Sequence, residues 1–421
     1  MQNNTEEVSE ARHESASVAG ASDAPAQRCE GLARANEYQE LGGTGQAPNR
    51  QELGGTGQAP NRQKTRPWHA EQPPRALESA LCYALSPYDH VLKTLARGYF
   101  LLPMLKQAQR FARPDYRERL QAYLDASEQQ LFGEQSGTPA FPAPTGRRQV
   151  FRYPTPYRPF DRGFASEFET YARCQELRVH AWRHPGGAPA SLLLLHSWGT
   201  GDLLSHRREF GVPYFFRDLG LDVYFYVLPY HAVRKPKGSA FSGELFPGPD
   251  LLRTNEGMRQ SVLELRGLIT RIKEHNPAPL GLMGSSLGGY LSALLASLDE
   301  RIDFAVAVQT PSCLARFLWN HAGPLTAAIE RRGLRLEDLQ TMWRPHSPLA
   351  RKALVPRDFR MMVNTYADSF VPSCLSEDLY AHWEQPQLVR FIGAHHHLSQ
   401  LGRHRYHRAV GSMLSRLLQR S

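Results

Sequence analysis

The chain has 421 residues, a formal net charge of +9 and 41% hydrophobic residues, enough to fill the core of one large domain or two ordinary ones. That composition excludes disordered and fibrous classes. Five widely spaced cysteines (Cys29, Cys82, Cys174, Cys313 and Cys374), none in a C-x-x-C pair, suggest neither a disulfide framework nor a thiolate zinc site, so a reducing, cytoplasmic setting is expected.

Along the chain, Met1 to Glu7 is polar and acidic and lacks the basic start and apolar core of a secretory signal, so export by that route is not expected. Gln39 to Arg50 recurs identically as Gln51 to Arg62. A twelve-residue unit with one Leu and no aromatic cannot bury enough surface to offset chain entropy, so residues 1–75 read as a disordered tail. Residues 76–164 read as a helical appendage and linker, with helices near 76–85, 88–112 and 115–131 and a Pro- and Gly-rich stretch from Gly133 to Gly163. Val91, Leu92, Leu95, Phe100, Leu101, Leu102 and Leu105 give the middle helix an apolar face. Packing against the domain that follows is its simpler reading; an interfacial helix giving peripheral membrane contact is the alternative. The longest apolar stretch, Gly98 to Leu105, is far short of the roughly 20 residues that cross a bilayer.

From residue 165 onward, short runs of Val, Leu, Phe and Tyr alternate with helical segments. Strands are expected near 176–182, 190–195, 221–228, 279–283, 303–309, 359–364 and 388–392, a βαβ rhythm that implies an α/β fold with a largely parallel sheet. Met258, Val262, Leu265, Ile269 and Ile272 mark a helix packed on that sheet. Residues 312–352 are too long for a simple connection and read as a helical lid. The last segment carries six arginines and no acid after residue 389. Its apolar residues fall at helical spacing, which favours a solvated arginine face, and nothing in the chain resembles a nucleic-acid module.

Gly284-Ser285-Ser286-Leu287-Gly288-Gly289 follows the strand Leu280 to Met283 and opens a helix. G-x-S-x-G at a strand-to-helix turn presents a serine hydroxyl for attack, which selects Ser286 as nucleophile over its neighbour Ser285. Catalytic groups in such sheets collect beyond the carboxyl ends of the strands. Asp368 lies just past one strand, in Asp368-Ser369-Phe370-Val371-Pro372, and His395 lies past the next, in Gly393-Ala394-His395. Asp358 precedes its strand and Asp378 lies well beyond it. The run His395, His396, His397 has no acidic or thiolate companions, so no metal site is expected there.

With Ser286, Asp368 and His395 in that order, residues 165–421 resemble the α/β-hydrolase superfamily. The resemblance implies a sheet flanked by helices and a Ser-Asp-His triad, in which the G-x-H ending favours His395 as base. It also implies an oxyanion hole built from the backbone N–H groups of Trp198 and Leu287. Where the superfamily usually has His-Gly, this chain reads His196-Ser197-Trp198-Gly199. His196 would brace that turn; the loop Leu228 to Arg234 carries no assigned role. The implied activity is hydrolysis of a carboxylic ester through an acyl-enzyme, with a small-molecule substrate bearing an apolar acyl group and no cofactor, since no dinucleotide fingerprint or phosphate loop occurs. An acyltransferase using the same triad and a non-catalytic binding protein of the same fold are the alternatives.

Overall fold

The computed structural model describes residues 80, 84, 87–134, 138–202, 209–366, 368–391, 393–395 and 400–420. The chain divides into two units, 1–61 and 62–421, and every described residue belongs to the second. The tandem duplication lies outside the described residues. So do His396, His397 and all but residues 80 and 84 of the helix expected near 76–85.

Eight strands build one mixed sheet: β1 (Arg148–Pro154), β2 (Glu176–Trp182), β3 (Ser191–Leu195), β4 (Asp222–Val227), β5 (Leu280–Ser285), β6 (Phe304–Val308), β7 (Arg360–Thr365) and β8 (Gln387–Phe391). Their spatial order is β1-β2-β4-β3-β5-β6-β7-β8, antiparallel across β1, β2 and β4 and parallel from β4 through β8. The residues of β3 to β7 are all buried, which is why they read as unbroken apolar runs instead of alternating ones. β1 lies inside the stretch expected to be a linker. Only Phe151 of its seven residues is buried, as suits an edge strand, so its sequence carries little apolar signal.

The N-terminal helices α1 (Pro87–Phe111) and α2 (Pro114–Asp125) match expectation at their starts. The expected helix 115–131 breaks at Ala126, which is extended, and restarts as α3 (Glu128–Phe132) behind a capping box between Ser127 and Gln130. α4 (Arg162–Glu169) precedes β2. The 25-residue α5 (Leu251–His275), capped by the Asp250 side chain, buries both its apolar stripe and several polar residues. Among these, Glu264 takes two hydrogen bonds from the fully buried Arg234, at 2.7 and 2.8 Å, and one from the Tyr226 hydroxyl at 2.5 Å. α6 (Leu287–Leu295) follows β5, and residues 312–352 form a helical insertion of α7 (Leu314–Ala322), α8 (Thr326–Glu330) and α9 (Leu336–Met342). α10 (Glu377–His382) and α11 (Gln400–Leu418) complete the layers. Among the described residues no helix is long and apolar enough to cross a membrane.

Cys374 is disulfide-bonded, which departs from the expectation of no disulfide framework, and Cys174 and Cys313 are free thiols. Disulfides persist in oxidising surroundings.

Candidate active site

Ser286 sits between the last residue of β5 and the first of α6 with φ 52° and ψ −111°, a left-handed conformation that a non-glycine residue adopts only when its surroundings enforce it. The neighbouring glycines make that turn possible. A Cβ at Gly284 would strike the Gly288 carbonyl, one at Gly288 would strike the Leu195 carbonyl at the end of β3, and one at Gly289 would strike the Thr310 hydroxyl. The turn is pressed between two strand ends, and only glycine fits. Ser285 ends β5, where its carbonyl accepts the Ser197 hydroxyl at 3.3 Å.

Asp368 and His395 are brought together: His395 Nδ1 lies 2.7 Å from Asp368 Oδ2, and both residues are buried. The other Asp368 oxygen accepts the backbone N–H groups of Phe370 (3.0 Å) and Val371 (2.7 Å), so the turn fixes the carboxylate and leaves one oxygen aimed at the imidazole. Burial pushes the His395 imidazole down to about 4, against the opposing pull of the nearby Asp89 carboxylate, so the ring is neutral at ordinary pH. Asp358, by contrast, sits before β7 and pairs with Arg420 at the surface, and Asp378 pairs with Arg316.

Ser286 is not hydrogen-bonded to His395 in this arrangement. It lines an apolar cavity of about 30 Å³ together with Trp198, Leu287, Phe317, Trp343 and Phe370. Phe370 links the two halves of the site, because its ring centroid lies 4.9 Å from that of His395. Phe317, Leu314, Leu318 and Trp343 reach the cavity from the helical insertion, whereas Trp319 is buried without lining it.

Leu287 opens α6, so its N–H belongs to the first turn, where helices lack internal acceptors. Across from it, Trp198 is held by its indole Nε1, which donates to the Gly243 carbonyl at 2.8 Å. Ser197 tolerates the usual glycine position because the left-handed backbone of this loop falls at Gly199 (φ 81°) and Gly201 (φ 103°) instead. Its N–H and hydroxyl both reach Glu209 Oε2, at 3.1 and 3.3 Å. Glu209 is buried, and desolvation raises its carboxyl to about 7. His196 Nε2 accepts the Leu228 N–H at 3.0 Å, which places its proton on Nδ1, facing the Ser197 carbonyl at 2.8 Å. That ring bears edge-on against His231 at 5.1 Å. The loop Leu228 to Arg234 therefore acts as a brace: it fixes His196 at one end and ends in the buried Arg234–Glu264 pair at the other.

Glu209, Trp343, Phe370 and Pro247, which also lines the cavity, were not singled out by sequence. Phe370 alone carried a signal, since it lies within the Asp368-to-Pro372 motif.

A parallel run of strands with a strained serine at the β5–α6 turn, followed by an Asp–His pair beyond β7 and β8, decides the architecture. The chain has the α/β-hydrolase fold. No known protein-family profile matches the chain. It is 31% identical over 213 residues to the uncharacterized proteins MT2702 and Rv2627c of Mycobacterium tuberculosis (strains CDC 1551 and H37Rv), covering 50% of this chain and 47% of each relative. The match thus spans about half the length of these relatives. Solved structures similar to this hydrolase fold include a lidless serine hydrolase from Xanthomonas campestris (TM-score 0.39, 16% identity, 66% of this chain and 97% of that one). Others are an acetyl xylan esterase from Paenibacillus sp. R4 (0.44, 13%, 73% and 98%) and an acylaminoacyl peptidase from Pyrococcus horikoshii (0.43, 13%, 65% and 42%). Among the described residues no group of three or more His, Cys, Asp or Glu could hold a metal ion.

Proposed function

We propose that this protein is a serine hydrolase acting on carboxylic esters with a short apolar acyl group. The observation that carries the reading is the strained Ser286 at the wall of an apolar cavity, with a buried Asp368–His395 pair reaching that cavity through Phe370. Ser286 attacks the ester carbonyl while His395 Nε2 takes its proton, and Asp368 holds the ring with Nδ1 protonated and stabilises the cation that forms. The hydrogen bond from Ser286 to His395 closes when substrate is bound, as catalytic contacts commonly tighten in the complex. The N–H groups of Trp198 and Leu287 receive the developing oxyanion, each worth about 3 kcal/mol of barrier. His395 then returns the proton to the leaving alcohol, and water releases the acyl group by the same steps in reverse order.

The acyl length follows from the cavity. About 30 Å³ is room for two or three water-sized groups, since one water needs roughly 10–15 Å³, and supports a short acyl group. The insertion 312–352 supplies part of that wall, through Leu314, Phe317, Leu318 and Trp343, and serves as a lid. A series of p-nitrophenyl esters is the test: kcat/KM should be highest for acetyl or propionyl and fall with chain length, with the acyl group found on Ser286 by mass spectrometry. A protein that favours long chains, or carries the adduct elsewhere, contradicts the reading.

A further inference from the structure

α1 was expected to be an appendage, yet its first turn enters the catalytic centre. Asp89 is fully buried, and its Oδ2 accepts three hydrogen bonds: from the Ser369 N–H at 3.1 Å, the Ser369 hydroxyl at 3.4 Å and the His395 N–H at 3.3 Å. Ser369 directly follows Asp368, so one carboxylate oxygen gathers the backbone of both loops that carry the Asp–His pair. The other oxygen, Oδ1, is buried with no hydrogen-bond partner among the described residues. A half-satisfied buried carboxylate costs stability and calls for an explanation. Ten residues on, about 15 Å along the helix, Tyr99 packs against Trp198 with ring centroids 6.1 Å apart. The same helix therefore touches the base at one point and the oxyanion loop at another, while α7 packs along it.

We infer that Asp89 is a positioning residue of the hydrolytic site: a buried carboxylate, delivered from outside the hydrolase sheet, that ties the Asp368 loop to the His395 loop and sets negative charge beside the imidazole. The inference rests on the serine hydrolase reading. Among the described residues, the titratable groups that act on Asp89 are Asp368, from the loop after β7, and His395, from the loop after β8. On α7, Arg316 is taken up by Asp378 and His321 by the Phe370 carbonyl, at 3.0 Å. Burial and the Asp368 charge raise the Asp89 carboxyl, whereas His395 and the two backbone N–H groups favour its ionised form. An ionised Asp89 in turn favours the imidazolium that forms when Ser286 gives up its proton.

Asp89→Asn keeps an oxygen to accept the N–H groups and removes the charge. In the full chain it should lower kcat on p-nitrophenyl acetate by about tenfold, part of the 10²–10⁴ that acid–base catalysis supplies, with KM within about twofold. It should also move the acid limb of kcat/KM to lower pH, because the imidazole loses a neighbouring negative charge; a structural clamp would not move that limb. Asp89→Ser, a small neutral acceptor, carries the same readout where the Asn variant does not fold. An unmoved limb, with or without lost kcat, makes Asp89 a clamp only and overturns the inference. A wild-type protein whose Ser286 does not turn over the ester overturns the hydrolase reading itself, and is seen before any variant is compared.

Discussion

The Ser197 hydroxyl donates to the Ser285 carbonyl at 3.3 Å, so the loop carrying Trp198 is fastened to the end of β5, one residue before Ser286. In this chain the two proposed oxyanion donors, at Trp198 and Leu287, are registered to each other by a side chain that the usual glycine would lack. Ser197→Ala removes that link and the hydroxyl contact with Glu209. It should lower kcat about tenfold with KM within about twofold, because a donor displaced from the oxyanion costs transition-state stabilisation rather than ground-state binding. Steady-state kinetics on a short ester, beside a thermal melt, checks it; the melt should report a loss of about 1 kcal/mol.

Buried histidines give the fold an acid edge. His196 and His395 are pushed down to about 4, and His346 to about 3, by burial. Their folded values lie below the unfolded value near 6.5, so their contribution is present above that pH and is lost as pH falls toward the folded values. Each of His196 and His395 accounts for about 3 kcal/mol across that interval. Glu209 works in the opposite direction. Its value is raised to about 7, so it favours the folded state below about 4.5 and withdraws that support as pH rises through 7. Glu209→Gln should therefore gain stability over the wild type at pH 8 and not at pH 4, as urea unfolding at the two pH values would show. Activity has its own limb: His395 must be neutral to act as base, so kcat/KM should stay high well below pH 6.5.

Arg234 and Glu264 are both fully buried and joined by two hydrogen bonds. Arg234→Leu leaves Glu264 with a charge and only hydroxyl and amide donors, from Thr155, Tyr226 and Gln260. The expected loss is about 3–5 kcal/mol. Joint replacement by Arg234→Leu and Glu264→Gln should recover much of it. Chemical denaturation of the single and double variants measures both.

Seven of the eight strands were legible, and for β3 to β7 the reason is burial along their whole length, which requires apolar runs such as Leu192 to Leu195 and Val223 to Val227; β2 and β8, only partly buried, were legible from shorter apolar runs. β1 was not, because an edge strand with one buried residue has no such constraint. Ser286, Asp368 and His395 were legible because each sits at the carboxyl end of a strand whose position the apolar runs reveal. Asp89 was not. It lies about 280 residues from Ser369 in sequence, on a helix whose apolar pattern records only that it packs somewhere. Glu209 was hidden for a related reason: its meaning depends on Ser197, and nothing local to either residue announces the other.

The central claim is that Ser286 is an activated nucleophile. Labelling with a fluorophosphonate, comparing the intact protein with Ser286→Ala, tests it most directly. The account predicts stoichiometric labelling of the wild type at Ser286 and none of the variant; a folded wild-type protein that resists the reagent, or a variant that labels equally, would contradict it.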